Sequence, residues 1–133
     1  MSKERDKKFA EVWANAMKLA VEAGNATKPR PMVVGQAKGM FSNEIDYSKP
    51  TYYEPEGVCG FAWVNVKKGN APFANWLKKN GYARPDSYYG GVTIWVSDYN
   101  QSMQRKEAHA RALAEAINDA EVGVSAYMSS RLD

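Results

Sequence analysis

One cysteine and one histidine in 133 residues leave little from which to build a reactive centre. A lone Cys59 makes no internal disulfide and no cysteine-rich zinc cluster, and a lone His109 excludes a histidine-rich metal site. Such a chain suits a reducing compartment. Excess charge of one sign is also scarce: 18 Lys and Arg against 15 Asp and Glu leave +3, far below the surplus of a dedicated duplex-DNA binder. Nucleic acid is permitted by this balance and not demanded. No long apolar run occurs, and the opening MSKERDKK is charged and leads into an amphipathic segment, so neither a signal peptide nor a membrane span is expected. No phosphate-gripping glycine loop with its lysine is present, and Gly90-Gly91 lacks the flanks of a dinucleotide site. Heptad, low-complexity and solenoid repeats are absent as well.

What is present reads as a single domain over 1–133, long enough for a core that needs no disulfide or metal. Phe9, Val12, Trp13, Ala16, Leu19, Ala20 and Ala23 recur at helical spacing, with Gly24 and Asn25 as the stop, so 1–24 is expected to be an amphipathic helix. Residues 25–57, rich in Pro, Gly, Asn and Lys, read as a long loop with one brief strand at MVVG and with Phe41, Tyr47, Tyr52 and Tyr53 as clamps. From Val58 the signals sharpen. VCGFAWVNV is apolar on both alternating sets and reads as a central strand covered on both faces. GNAPFANWLKKNG offers Asn70 as a cap, Pro72 in the first turn, Lys78 and Lys79 in the last turn and Gly81 after the end. VTIWV is a second strand whose Thr93, Trp95 and Ser97 face is half polar, and VGVSAYMSS closes as a strand. Between them SDYNQ starts a helix whose stretch from Ser102 to Asp119 places Met103, Ala110, Leu113, Ala114 and Ile117 on one face and Arg105, Lys106, Glu107, Arg111 and Glu115 mostly on the other. Strands separated by helices predict an α/β (or α+β) domain with one small, mixed, largely parallel sheet of three or four strands. Two crossover helices and the N-terminal helix complete it.

PMVV, EGVCGFAWVNVK, FANWLKKNG, YYGGVTIWVSDYNQSMQRKEAHARALAEAI and SRLD together resemble a family of small proteins encoded by tailed bacteriophages (Caudoviricetes), over most of the chain after Pro31. The resemblance implies a phage product acting in the host bacterial cytoplasm or in the virion. It implies no activity, so no catalytic residue is carried over.

Chemistry is sparse. Cys59 and His109 could form a nucleophile and base, but Cys59 sits in the most apolar strand, where a cysteine is an ordinary core residue, and His109 reads as a boundary residue. Asp86 and Asp98-Tyr99-Asn100 resemble a worn metal-dependent nuclease pattern with Asn100 where the lysine is needed; Asp98 has a plainer use as an acceptor near the start of the third helix. No catalytic residue, metal or cofactor is therefore expected. The better signal is a binding face. No acid occurs between Val58 and Pro85, whereas Lys67, Lys68, Lys78, Lys79 and Arg84 accumulate there, and Tyr82, Tyr88 and Tyr89 flank Arg84. Lys67 and Lys68 are expected at one end of the unit, and Lys78, Lys79 and Arg84 at the other. Tyr and Arg dominate protein hot spots, so the first expectation is a non-enzymatic accessory protein that binds a host or phage protein. The alternative is a single-stranded nucleic-acid binder that stacks bases on the tyrosines, and a metal-dependent nuclease is the distant third. The oligomeric state is open, since an uncovered edge strand or the first helix could pair with a second copy.

Overall fold

The computed structural model describes residues 3–29, 32–34, 52–54, 57, 59–99 and 102–132. The order is α1 (Lys3–Ala26), β1 (Met32–Val34), β2 (Tyr52–Glu54), β3 (Gly60–Lys67), α2 (Pro72–Lys79), β4 (Arg84–Pro85), β5 (Val92–Trp95), α3 (Met103–Asp119) and β6 (Ser125–Leu132). β1 and β2 form a separate antiparallel pair, Met32 opposite Glu54, so the expected loop contains a second strand besides MVVG. Phe41 and Tyr47 lie outside the described residues.

The main sheet has the order β4-β5-β3-β6, and every neighbouring pair is antiparallel. The expectation of largely parallel pairing is therefore overturned, and the class is α+β. The helical crossovers do connect strands that run the same way, β3 to β4 and β5 to β6, but each leaves a gap that another strand fills. β5 enters the first gap because residues 86–91 turn the chain straight back from β4. This is the split β-α-β-β-α-β connectivity. A two-residue strand containing Pro85 gives no periodic signal, so the hairpin reads as a loop.

Ala62, Val64 and Val66 of β3, Val92 and Ile94 of β5 and Ala126 of β6 form one buried face. α2 presses Phe73, Ala74 and Leu77 into it, and α3 adds Ala110, Leu113, Ala114 and Ile117. Burying a side chain the size of Phe73 or Leu77 stabilises by about 1.5–3 kcal/mol. α1 packs along α3 through Ala16, Ala20 and Gly24, and its Phe9 meets Phe73 edge-on at 5.2 Å. Leu19, expected in the apolar stripe, is instead exposed, and Gly24 lies inside the helix.

Both caps differ from expectation for physical reasons. Pro72 opens α2, and the residue before a proline is driven to extended backbone, so the cap is Ala71 (φ −66°, ψ 150°) with no side-chain bond, not Asn70. At α3 the stretch expected from Ser102 to Asp119 is helical over Met103–Asp119, but its cap is Ser102, whose hydroxyl accepts from the Arg105 N–H at 3.3 Å, and not Asp98, which lies upstream with the rest of SDYNQ. Lys106, on the expected polar face, is buried and reaches the Gly60 carbonyl (3.3 Å).

Candidate functional site: an aromatic and cationic sheet face

Side chains alternate along a strand, so the residues of β3 and β5 that miss the core share the opposite face of the sheet. Register places them in cross-strand rows. Arg84, Thr93, Asn65 and Tyr127 form one row; Trp95, Trp63 and Ser129 form the next; Phe61 and Arg131 a third; and Lys67 with Ser125 closes the other end. Among the described residues no helix packs over this face, and Trp95 (53 %) and Tyr127 (56 %) are exposed. The Trp63 and Trp95 rings lie 5.0 Å apart, with Trp63 buried beneath its neighbours. The Arg131 guanidinium sits 5.4 Å from the centre of the Phe61 ring, and Lys106 Nζ lies 5.5 Å from the same ring. The strands contribute Arg84, Lys67 and Arg131 to the face and no carboxylate.

The hairpin after β4 stands at one side of this surface. Asp86 organises it: one carboxylate oxygen accepts from the Tyr88 and Tyr89 N–H groups, both at 2.9 Å, and the other accepts from the Thr93 hydroxyl at 2.7 Å. The Thr93 bond is the largest influence holding the Asp86 carboxyl below the ordinary range, followed by the two amides and by nearby Lys67. Asn65 donates to the Gly90 carbonyl (2.8 Å), tying the turn down onto β3. Gly91 has φ +66°, and a Cβ there would collide with the Val66 carbonyl, so the turn requires glycine. Between hairpin and β6 runs a groove of about 580 Å³ lined by Trp63, Asp86, Tyr88, Tyr89, Trp95, Ser129, Ser130 and Arg131. Beyond Trp95 a second depression, about 390 Å³, is lined by Tyr82, Arg84, Thr93 and Ser97 among others. Trp95 is thus a ridge between two hollows.

Of the residues singled out from sequence, Arg84, Lys67, Tyr88 and Tyr89 come together around this face, and Lys68 is exposed just past the end of β3. Arg84 is not at the far end from Lys67, as expected; it is level with Asn65. The eight residues of α2 return about 12 Å, whereas the eight of β3 advance about 26 Å, so the chain re-enters the sheet only part of the way back. Lys78 and Lys79 belong to α2, on the helical side, and Lys79 lines a hollow with Arg5 and Asp6. Tyr82 stacks on Trp13 at 4.7 Å and belongs to the aromatic cluster of α1 and α2 rather than to Tyr88 and Tyr89, which touch each other at 4.6 Å. Phe61, Trp63, Trp95, Tyr127 and Arg131 were missed as site residues. Alternation would have put Phe61, Trp63 and Trp95 opposite the valines, but pairing register is needed to add Tyr127 and Arg131.

The chemical candidates separate. His109 is buried at 3 % exposure, not at a boundary, and its Nδ1 is hydrogen-bonded to the Tyr99 hydroxyl (2.8 Å). Cys59 is half-buried in an isolated bridge to Ser102, ahead of β3. Asp86 precedes β5 and Asp98 follows it, so the strand stands between them, and among the described residues no group of three potential ligands could hold a metal. No described helix is long and apolar enough to cross a membrane. No protein-family model, curated protein or solved structure matches this chain.

Proposed function

We propose that this chain works by binding and that its ligand is a single strand of nucleic acid laid across the open sheet face. The supporting observation is one surface on which, among the described residues, the exposed rings of Trp95 and Tyr127, with Phe61 half-buried and Trp63 buried beside Trp95, are interleaved with Arg84, Lys67 and Arg131, while the strands contribute no carboxylate. An exposed ring on a central strand, Trp95, and another on the neighbouring edge strand, Tyr127, give unpaired bases faces on which to stack, and the cations meet phosphates. Face-to-face pairing of two copies would set the cations of the strands against one another, with no carboxylate from the strands to neutralise them. A duplex offers its bases no exposed π-face, so the preference is for single strands. In keeping with the resemblance to tailed-phage proteins, the strand would be phage or host nucleic acid in an infected bacterium.

Fluorescence anisotropy of labelled single- and double-stranded oligonucleotides tests this directly. Trp95→Ala is expected to weaken single-strand binding roughly 5- to 150-fold, the equivalent of about 1–3 kcal/mol for one stacked base. Lys79→Ala, on the helical side, leaves it unchanged. Absence of binding at low salt, or equal losses in both variants, removes the nucleic-acid reading and leaves a host or phage protein as the ligand of the same aromatic and arginine side chains.

A further inference from the structure

The two edges of the sheet differ in character. β4 is two residues long and carries Pro85, and both features blunt an edge against pairing. β6 is eight residues long and pairs with β3 without a bulge from Gly60 opposite Leu132 to Lys67 opposite Ser125. It holds no proline and one charge, Arg131. Among the described residues no strand pairs with its outer side. Tyr127, Ser129, Arg131 and Leu132 along it are exposed.

We propose that β6 pairs antiparallel with β6 of a second copy about a two-fold axis at Ser129, joining two four-stranded sheets into one. The choice of axis follows from alternation. The open faces of both copies stay on the same side only if a residue of β6 opposes itself. With Ser129 on the axis, Tyr127 opposes the partner's Arg131 and Arg131 opposes the partner's Tyr127. Arginine and an aromatic ring are favourable cross-strand neighbours when directly opposed. On the other side Leu132 meets the partner's Ala126, which covers its exposed end. Shifting the axis to Met128 would oppose Arg131 with Ser125 and lose both arginine–tyrosine pairs. The strand is therefore complementary to itself in one register, which favours a second copy over a foreign strand. Because Arg131 lines the groove beside Trp63, the partner's Tyr127 extends that groove with a wall a single copy lacks.

The proposal goes beyond the nucleic-acid reading and is tested without nucleic acid. Sedimentation equilibrium of the full chain at micromolar concentration gives twice the 14.8 kDa chain mass. Ser129→Lys sets two lysines face to face at the axis and returns a monomer with an unchanged circular dichroism spectrum. In a Cys59→Ser background, Ser129→Cys forms an interchain disulfide on mild oxidation, since directly opposed Cβ atoms lie close to disulfide reach. Tyr127→Cys, offset from its counterpart by four residues of the ladder, does not. A monomer at every concentration overturns the proposal. So does a dimer that survives Ser129→Lys and forms no Ser129→Cys cross-link.

Discussion

Tyr99 gathers several constraints at one point. It takes φ +72°, a region that costs a bulky residue about 1–2 kcal/mol, and its ring tip lies against Gly24 of α1 while its hydroxyl bonds His109 of α3. Gly24→Ala would gain about 1 kcal/mol of helix propensity on an exposed surface. Here the new methyl strikes a ring that the His109 bond holds in place, so the variant is expected to lose about 1–3 kcal/mol in urea denaturation. In a Tyr99→Ala background the same change should stabilise; if it destabilises equally there, the ring is not the obstacle. His109 itself sets a pH dependence. Burial lowers its pKa from 6.5, with Asp98 opposing weakly, so between the folded value and 6.5 the unfolded chain holds the extra proton. Stability is therefore complete above that range and falls as pH drops through 6.5 toward the folded value. His109 is the only histidine, which makes this window its own. Denaturation midpoints at pH about 7.5 and about 5.5 should converge in His109→Gln. None of this was legible in sequence, where Gly24 looks like a helix stop and His109 like a boundary residue; both readings fail because Tyr99 reaches them from a segment with no periodic signal.

Among the elements, the helices were the most legible and the short strands the least. The stripe of α3 and the Pro72 to Gly81 punctuation of α2 are local facts, carried by spacing and caps, so the chain states them without reference to its neighbours. β4 is defined only by its bonds to β5 and has no local signature. The α1–α3 contact shows a rule of close approach, with Ala16, Ala20 and Gly24 at four-residue intervals on the buried side. Ala20→Leu should cost about 1–3 kcal/mol by overpacking this seam, measured by thermal or urea unfolding, whereas Leu19→Ala on the exposed side should stay within about 0.5 kcal/mol. The hairpin depends on one carboxylate. Asp86→Ala should speed amide exchange at Tyr88 and Tyr89 while leaving β3 and α3 protected, and acid should do the same only as pH falls below 3.8, because the carboxyl is held low.

For the whole molecule, strand direction was the error with consequences. Reading VCGFAWVNV as a strand covered on both faces of a largely parallel sheet hides the aromatic rows. Inserting β5 and β3 into the gaps gathers the helices on one side and, among the described residues, leaves the other without a covering helix. The net charge of +3 then says less than its distribution. Lys67, Arg84 and Arg131 stand on the open face; Lys78 and Lys79 stand behind it. Counterion release gives this division a measurable form, since each single-strand phosphate neutralised contributes about 0.7 to the slope of log affinity against log salt. If the open face carries the proposed strand, replacing Lys67, Arg84 and Arg131 together by alanine should lower that slope by about 2, whereas replacing Lys78 and Lys79 together should leave it within about 0.3. Both variants lose cations, two in one case and three in the other, so a non-specific attraction to overall charge would scale with the number removed. A difference far larger than that ratio ties binding to the face, and slopes reduced in proportion to charge alone would assign the affinity to diffuse electrostatics and withdraw the sheet as the site.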